Sequence, residues 1–402
     1  MYLDVYREMI CIKPSHVSLQ VLLLIVGLWP FQQTKFVQLQ LIIFFSILIT
    51  FIIFQLTTFV TFKCTTDLII NVISSVLFYT TFMIKYGSFI SNNDIVKCLL
   101  EQLQRTCNQL TDENEINIIK KYNTYTKCYT TLCTLLIIMV GFVLISYLFW
   151  PCILDILLPT NESRSHPSFL LVTEYFVDQE KYFYLIMLHA IAASCIGGTV
   201  MLATGMVLLA CQHQACGMFR IASYRVEQAM TVCNSRKNCL KSHNLIYKGL
   251  IYAVDMHRKA MKFSQLSTSR FEVMLLLLIS IGVICASLNF YRIFHAVLFG
   301  FNIEELVMPV LFVAAHFVYL MIGSYCAQEI MEHNNDVFIT VYSVQWYLAP
   351  LHVQKMVLFL LQRSTKVFTV NLGKLFVASL ENAVMLLSTA FSYFTVLYST
   401  QR

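Results

Sequence analysis

The sequence predicts an all-α membrane protein of seven transmembrane helices, and three observations predict it. Apolar residues fill 58% of the 402 positions and charged residues 12%, about half the charged share of an ordinary soluble domain. Seven apolar segments lie near residues 38–60, 68–90, 129–150, 183–211, 272–299, 306–328 and 367–400. Each is long enough to cross about 30 Å of hydrocarbon, which takes about 20 helical residues. Lysine and arginine fall on alternate sides of these segments. The N-terminal region and the second, fourth and sixth connections hold 22 of the 28 basic residues, against five in the other connections and the C-terminus. Basic connections stay cytoplasmic. The expected topology is therefore inverted relative to a G-protein-coupled receptor, with the N-terminus inside and the C-terminus outside.

Before the first span, Val21 to Trp29 resembles a signal-peptide core. Its flanks carry Asp4 and Glu8, however, and no small-residue cleavage site precedes Pro30. It reads as a short interfacial or re-entrant helix. The second and fourth connections, about 85–129 and 212–270, lack proline and hold few glycines, so they read as helices continuing into the cytosol. In the fourth, Ile246, Leu250, Ile251 and Val254 recur at helical spacing among Lys248, Asp255, Arg258 and Lys259, an amphipathic rod whose apolar stripe needs a partner. Trp346 to Leu361 is a second amphipathic stretch, and it fits a cytosolic helix.

The third connection is acidic and carries Asn161-Glu162-Ser163, a glycosylation acceptor for the outer side. The seventh segment reads as one unbroken helix from Lys366 to Thr400, about 52 Å long at 1.5 Å per residue. That exceeds the hydrocarbon, so its first turns are expected in the cytosol. Helical spacing places Asn371, Lys374, Glu381 and Asn382 near one face, and ionisable groups at such depth commonly mark an ion pathway.

The formal charge of +6 does not call for nucleic acid, because anionic lipid and the orientation rule account for the basic loops. Of the 14 cysteines, most lie in apolar segments or cytosolic loops, where thiols stay reduced. Cys211, His213 and Cys216 come nearest to a ligand set, but the spacing is loose and no second Cys-x-x-Cys half follows. No metal or cofactor is expected. No phosphate loop, catalytic carboxylate pair or nucleophile elbow supports an enzyme.

Gly27-Leu28-Trp29-Pro30 precedes the first span, Val367-Phe368-Thr369 opens the last, and Ser392-Tyr393-Phe394-Thr395-Val396-Leu397 closes it. With the length and the inverted seven-helix pattern, these motifs make the chain resemble an insect odorant receptor. Gustatory receptors share the architecture but close on a different motif. The fourth connection is too short for the family's coreceptor, so the chain is more similar to a ligand-binding tuning subunit.

The resemblance implies a ligand-gated, non-selective cation channel in the plasma membrane of a sensory dendrite. Four subunits, this one together with a coreceptor, would join through cytosolic helices around a pore lined by the last helix. It places Val396 and Thr400 at the outer gate, beside the pore candidates Lys374 and Glu381. The chain is then expected to divide into a cytoplasmic segment, 1–36, spans one to six with cytosolic extensions, 37–340, and a cytosolic helix plus pore-lining helix, 341–402.

The ligand is expected to be a small apolar volatile, whose pocket should be apolar and aromatic with a few polar anchors. The outer halves of spans two to six offer Val76 and Tyr79; Val143, Ser146 and Trp150; Met187 and Ile191; Phe290 and Phe294; and Phe312, His316 and Tyr319. A gustatory-type channel and a receptor signalling through a G protein are the alternatives. A transporter would show internal repeats, and none is visible.

Overall fold

The computed structural model describes residues 13–32, 34–157, 171–179, 181–235, 240–299, 303–364, 368–373 and 376–400. Its helices are α1 (Lys13–Ile25), α2 (Lys35–Leu56), the single turn α3 (Thr58–Thr61), α4 (Thr66–Ser91), α5 (Asn93–Asn108), α6 (Glu113–Leu157), α7 (Phe183–Ser235), α8 (Leu240–Ser269), α9 (Glu272–Phe299), α10 (Ile303–Ser343), α11 (Leu351–Ser364) and α12 (Leu380–Thr400). A two-stranded antiparallel hairpin, β1 (Asn371–Leu372) with β2 (Phe376–Val377), precedes α12. Among the described residues, seven helices are long and apolar enough to cross a membrane: α2 continued by α3, α4, α6, α7, α9, α10 and α12.

Local chemistry sets several helix ends. Thr34 and Thr65 cap α2 and α4 by accepting from the Val37 and Leu68 amides, and Asp67 adds negative charge in the first turn of α4. Helix α1 stops where Gly27 takes φ +72° and the Leu28 amide turns back to the Leu23 carbonyl at 2.8 Å. Its apolar face, Leu19, Leu22 and Leu23, is buried in the main core together with Val26 of the following turn. Tyr86 donates to the Val26 carbonyl at 2.8 Å. The helix before the first span is thus fastened to the bundle.

Three helices overrun any bilayer. Helices α6, α7 and α10 have 45, 53 and 41 residues, about 60 to 80 Å each at 1.5 Å per residue. Their extensions, with α5, α8 and α11, build a second helical layer at one end of the bundle. A paired fork from Arg225 to Glu115, 2.5 and 2.8 Å, holds the start of α6 to α7 there. The amphipathic rod of the fourth connection is α8, but its stripe has a partner inside the chain. Ile246, Leu250 and Ala253 are buried with Val226 and Met230 of α7 and with Val353 and Val357 of α11. Leu250 is 0% exposed, so this half of the stripe is core within the subunit, whereas Ile251 of the same stripe is 42% exposed and Val254 is half-buried.

The seventh segment departs from expectation. It is not one helix from Lys366: the chain forms the β1–β2 hairpin and enters α12 only at Leu380. Phe368, Val370 and Leu372 are buried at every second position, a strand period, and Gly373 turns the hairpin at φ +67°, a conformation that favours glycine. Asn371 therefore lies on β1 and shares no helix face with Glu381 and Asn382. Lys374 lies outside the described residues.

Candidate ligand-binding site and last helix

Side chains from α2, α4, α7 and α10 converge on an aromatic cluster. Tyr79 is 2% exposed, and its hydroxyl meets Ser194 Oγ at 2.7 Å. Phe51 and Phe82 present edges to its ring at 4.7 and 5.5 Å. Phe78 stacks on Phe312 at 4.1 Å and meets His316 edge-on at 5.5 Å. Such offset and edge-to-face pairs add about 0.5–1.5 kcal/mol each beyond burial. Gly197 allows the approach of α7, since a Cβ there would sit 2.0 Å from the Phe82 ring. The Lys85 ammonium lies 4.1 Å above the Tyr319 ring at the base of this region.

A polar strand of contacts leads from this cluster to the segment 171–179. The Glu174 amide donates to the Phe54 carbonyl, and Thr57 Oγ1 donates to the Glu174 carbonyl, at 2.8 and 2.7 Å. Tyr175 stacks on Phe54 at 4.1 Å. Burial pushes the Tyr175 hydroxyl pKa up, so it keeps its proton and donates to His189 Nδ1 at 2.8 Å. The other ring nitrogen then carries hydrogen and donates to the Ile47 carbonyl at 3.1 Å.

The predicted lining residues separate into three groups. Tyr79, Phe312, His316 and Tyr319 come together, with Val76 half-buried on the same helix as Tyr79, and Met187 and Ile191 on α7 buried and half-buried. Phe290 and Phe294 face the last helix instead: Phe294 meets Phe394 at 5.5 Å and Tyr398 at 4.9 Å, and Phe290 meets Phe391 at 6.3 Å. Val143 is 59% exposed on α6, away from the cluster, and Ser146 is half-buried. The Trp150 side chain and Asn161 lie outside the described residues. Sequence reasoning missed Ser194 and His189; Ser194 carried a signal, since Met187, Ile191 and Ser194 stand at i, i+4 and i+7 on one face.

A cleft of about 520 Å³ lies between α9, α10 and α12, lined by Phe290, Val313, Phe317, Leu387, Ser388, Phe391 and Ser392. The last helix thereby has two characters. Ala383, Ala390 and Phe394 are its buried stripe, and Ser287 of α9 donates to the Ala390 carbonyl at 2.9 Å. On the opposite side Glu381, Ser388, Ser392, Thr395 and Ser399 are exposed and lie within about 40° of one line at 100° per residue. The Ser392, Thr395 and Ser399 hydroxyls donate back to carbonyls of their own helix, leaving acceptor lone pairs outward. Val396 is 59% exposed beside this row, and Thr400 is exposed at the helix end.

The start of α12 is fixed by side chains. Ser379 Oγ accepts from the Asn382 amide at 3.2 Å, Asn382 Nδ2 donates to the Val377 carbonyl at 2.7 Å, and Gln328 Oε1 of α10 accepts from the Leu380 amide at 3.2 Å. The helix is therefore held at its base to α10 and along its length to α9.

The family model for the 7tm odorant receptor matches residues 65–391. The fold is similar to the structure of the insect olfactory receptor OR5 from Machilis hrabei, with a TM-score of 0.72 and 15% identity over 94% of this chain and 96% of that one. It is also similar to the structure of that receptor in complex with eugenol, with a TM-score of 0.76 and 16% identity over 98% of this chain and 100% of the other. No curated protein sequence matches the chain.

Proposed function

The chain belongs to the 7tm odorant receptor family, and from that premise we propose that it is a tuning subunit of a ligand-gated, non-selective cation channel. Family membership makes it a ligand-binding receptor and not an enzyme. It is opened by a small, mostly apolar volatile and assembles with a coreceptor in the plasma membrane. The α5, α8 and α11 layer is cytosolic, in keeping with the basic connections, and the C-terminus is outside.

The observation that carries the reading is the two-sided last helix. One side, Ala383, Ala390 and Phe394, is buried in the bundle, and the other exposes Glu381, Thr395 and Ser399, with Ser388 and Ser392 at the rim of the cleft shared with α9 and α10. A row of acceptors with a carboxylate at its base suits hydrated cations. Ligand contacts come from the Tyr79 cluster, where His316 and the Ser194 hydroxyl are the polar anchors and Phe78, Phe82 and Phe312 supply the apolar walls. Helix α9 lies against α4, α10 and α12, so Phe290 and Phe294 connect the cluster to the pore helix. A eugenol-bound structure of a similar receptor supports an aromatic volatile as ligand class.

The test is recording from inside-out patches of cells that express this chain with an odorant coreceptor, using a panel of aromatic and aliphatic volatiles in GTP-free solution. Ligand-evoked cation current is expected there. Responses that vanish without GTP would favour the G-protein reading.

A further inference from the structure

Six side chains that the sequence scatters over more than two hundred positions, Tyr122, Thr126, His213, Cys216, Glu329 and His333, meet where α6, α7 and α10 cross. Cys216 Sγ, a Glu329 carboxylate oxygen and a His333 ring nitrogen lie within 4.8 Å of one another. His213 Nε2 is 3.7 Å from Glu329 Oε2, one helical turn before Cys216 on α7. Gly217 permits this meeting, because a Cβ there would lie 2.8 Å from Ile119 Cδ1 of α6. Cys216 and His213 are 1% and 2% exposed, whereas Glu329 and His333 are only partly buried, with 17% of the Glu329 side chain exposed, and leave a way in.

The hydrogen bonds around the two imidazoles orient both rings. His333 Nδ1 donates to the Glu329 carbonyl at 2.8 Å, so Nε2 holds the lone pair and accepts from the Tyr122 hydroxyl at 2.5 Å. Thr126 Oγ1 lies 2.8 Å from His213 Nδ1 and 3.2 Å from the Tyr122 carbonyl, so it holds the ring through Nδ1 and turns His213 Nε2 toward the Glu329 carboxylate. Imidazoles anchored through the other ring nitrogen to a carbonyl or hydroxyl are the usual supports of metal ligands.

We propose that Cys216, Glu329 and His333, with His213 as fourth donor, form a binding site for a zinc-class divalent transition-metal ion at the inner end of the helix bundle. A thiolate, two imidazoles and a carboxylate match the soft and borderline donors that such ions prefer over calcium or magnesium. With metal–ligand distances of about 2.0–2.3 Å, donors of a tetrahedral site stand roughly 3.3–3.8 Å apart. Within the Cys216, Glu329 and His333 triad this takes a small contraction, and His213, whose Nε2 stands 3.7 Å from Glu329, turns toward the other two donors to complete the set. On binding, Cys216 gives up its thiol proton, and the Tyr122 hydroxyl releases His333 Nε2.

The experiment uses full-length receptor, purified with its coreceptor where needed and freed of metal, and titrated with cobalt(II). One equivalent should bind with the near-ultraviolet thiolate-to-cobalt charge-transfer band and the strong visible absorption of four-coordination, and zinc should displace it. Cys216→Ser should abolish the charge-transfer band, and His333→Gln should weaken binding about ten-fold or more. Tyr122→Phe, which removes the competing hydroxyl, should tighten it. Absence of the band in the wild type, or its persistence in Cys216→Ser, overturns the proposal. If Cys216→Ser does not fold, the X-ray absorption spectrum of the zinc-loaded wild type decides. One sulfur with three nitrogen or oxygen neighbours supports the site, and a shell without sulfur, or with several, overturns it.

Discussion

The Ser287 hydroxyl oxygen stands 2.9 Å from the Ala390 carbonyl oxygen of the last helix and 2.8 Å from the Val283 carbonyl of its own helix. It has one proton and serves one carbonyl at a time. The bond between the fifth span and the proposed pore helix can therefore be made or released without leaving the hydroxyl unsatisfied. Such a bond contributes about 1 kcal/mol, which corresponds to about five-fold in an equilibrium at 1.4 kcal/mol per decade. Ser287→Ala should shift the half-activating ligand concentration or the basal current by about that factor at normal surface expression. A dose response that superimposes on wild type would show that this contact does not bear on gating.

Tyr79 is a second point where chemistry can be separated from packing. Removing its ring leaves a hole in a filled core, at about 3–5 kcal/mol for a large aromatic, so Tyr79→Ala should lower the amount of receptor at the surface. Tyr79→Phe keeps the ring and deletes only the bond to Ser194. It should leave surface expression unchanged and weaken oxygen-bearing ligands more than hydrocarbons of the same shape. Equal responses to both ligand classes in the two proteins would move the anchor elsewhere.

Assembly should depend on a different face from the buried half of the α8 stripe. With Leu250 and Val353 fully buried inside the subunit, Leu250→Asp should destroy the fold of the cytosolic layer and reduce total protein. Exposed apolar side chains in the same layer include Leu348, Leu351, Leu358 and Phe359, and an apolar residue buried between subunits contributes about 1.5–3 kcal/mol. Leu351→Asp with Phe359→Asp should reduce co-purification with the coreceptor while subunit yield stays normal. Undiminished co-purification would place the assembly surface elsewhere.

Glu381 occupies the first turn of α12 and is exposed on the hydroxyl-bearing side. A carboxylate at the mouth of a conduit raises the local cation concentration. Glu381→Gln should lower single-channel conductance or the relative permeability to divalent cations. A variant with normal conductance and selectivity would assign Glu381 only to the helix dipole.

The spans were legible because a run of about 20 apolar residues is a local property of the sequence, as was the helical nature of the second and fourth connections. The beginning of the last helix is not legible from hydropathy, although Phe368-Thr369-Val370-Asn371-Leu372 alternates apolar and polar and Gly373 follows. Hydropathy averaged over a window hides that period. Periodicity grouped Tyr79 with its neighbours on α4 but could not say that Phe294 turns toward Tyr398, because a helix's faces are alike until its partners are known. Spacing sets His213 with Cys216 at i, i+3 and Glu329 with His333 at i, i+4, each pair on one helix face, but not the meeting of the two pairs. Those residues are brought together only by the crossing of α7 and α10.

The most direct measurement of the channel reading is accessibility along the last helix. Single cysteines at Ser388, Ser392 and Thr395 on the open row, and at Ala383 and Ala390 on the buried stripe, would be exposed to a charged thiol reagent during recording from the complex with coreceptor. Ligand-evoked current should be blocked irreversibly at the three row positions, faster when ligand is present, and left unchanged at the two stripe positions. Modification at Ala383 and Ala390 with none at Ser388, Ser392 and Thr395 would contradict a pore lined by this face.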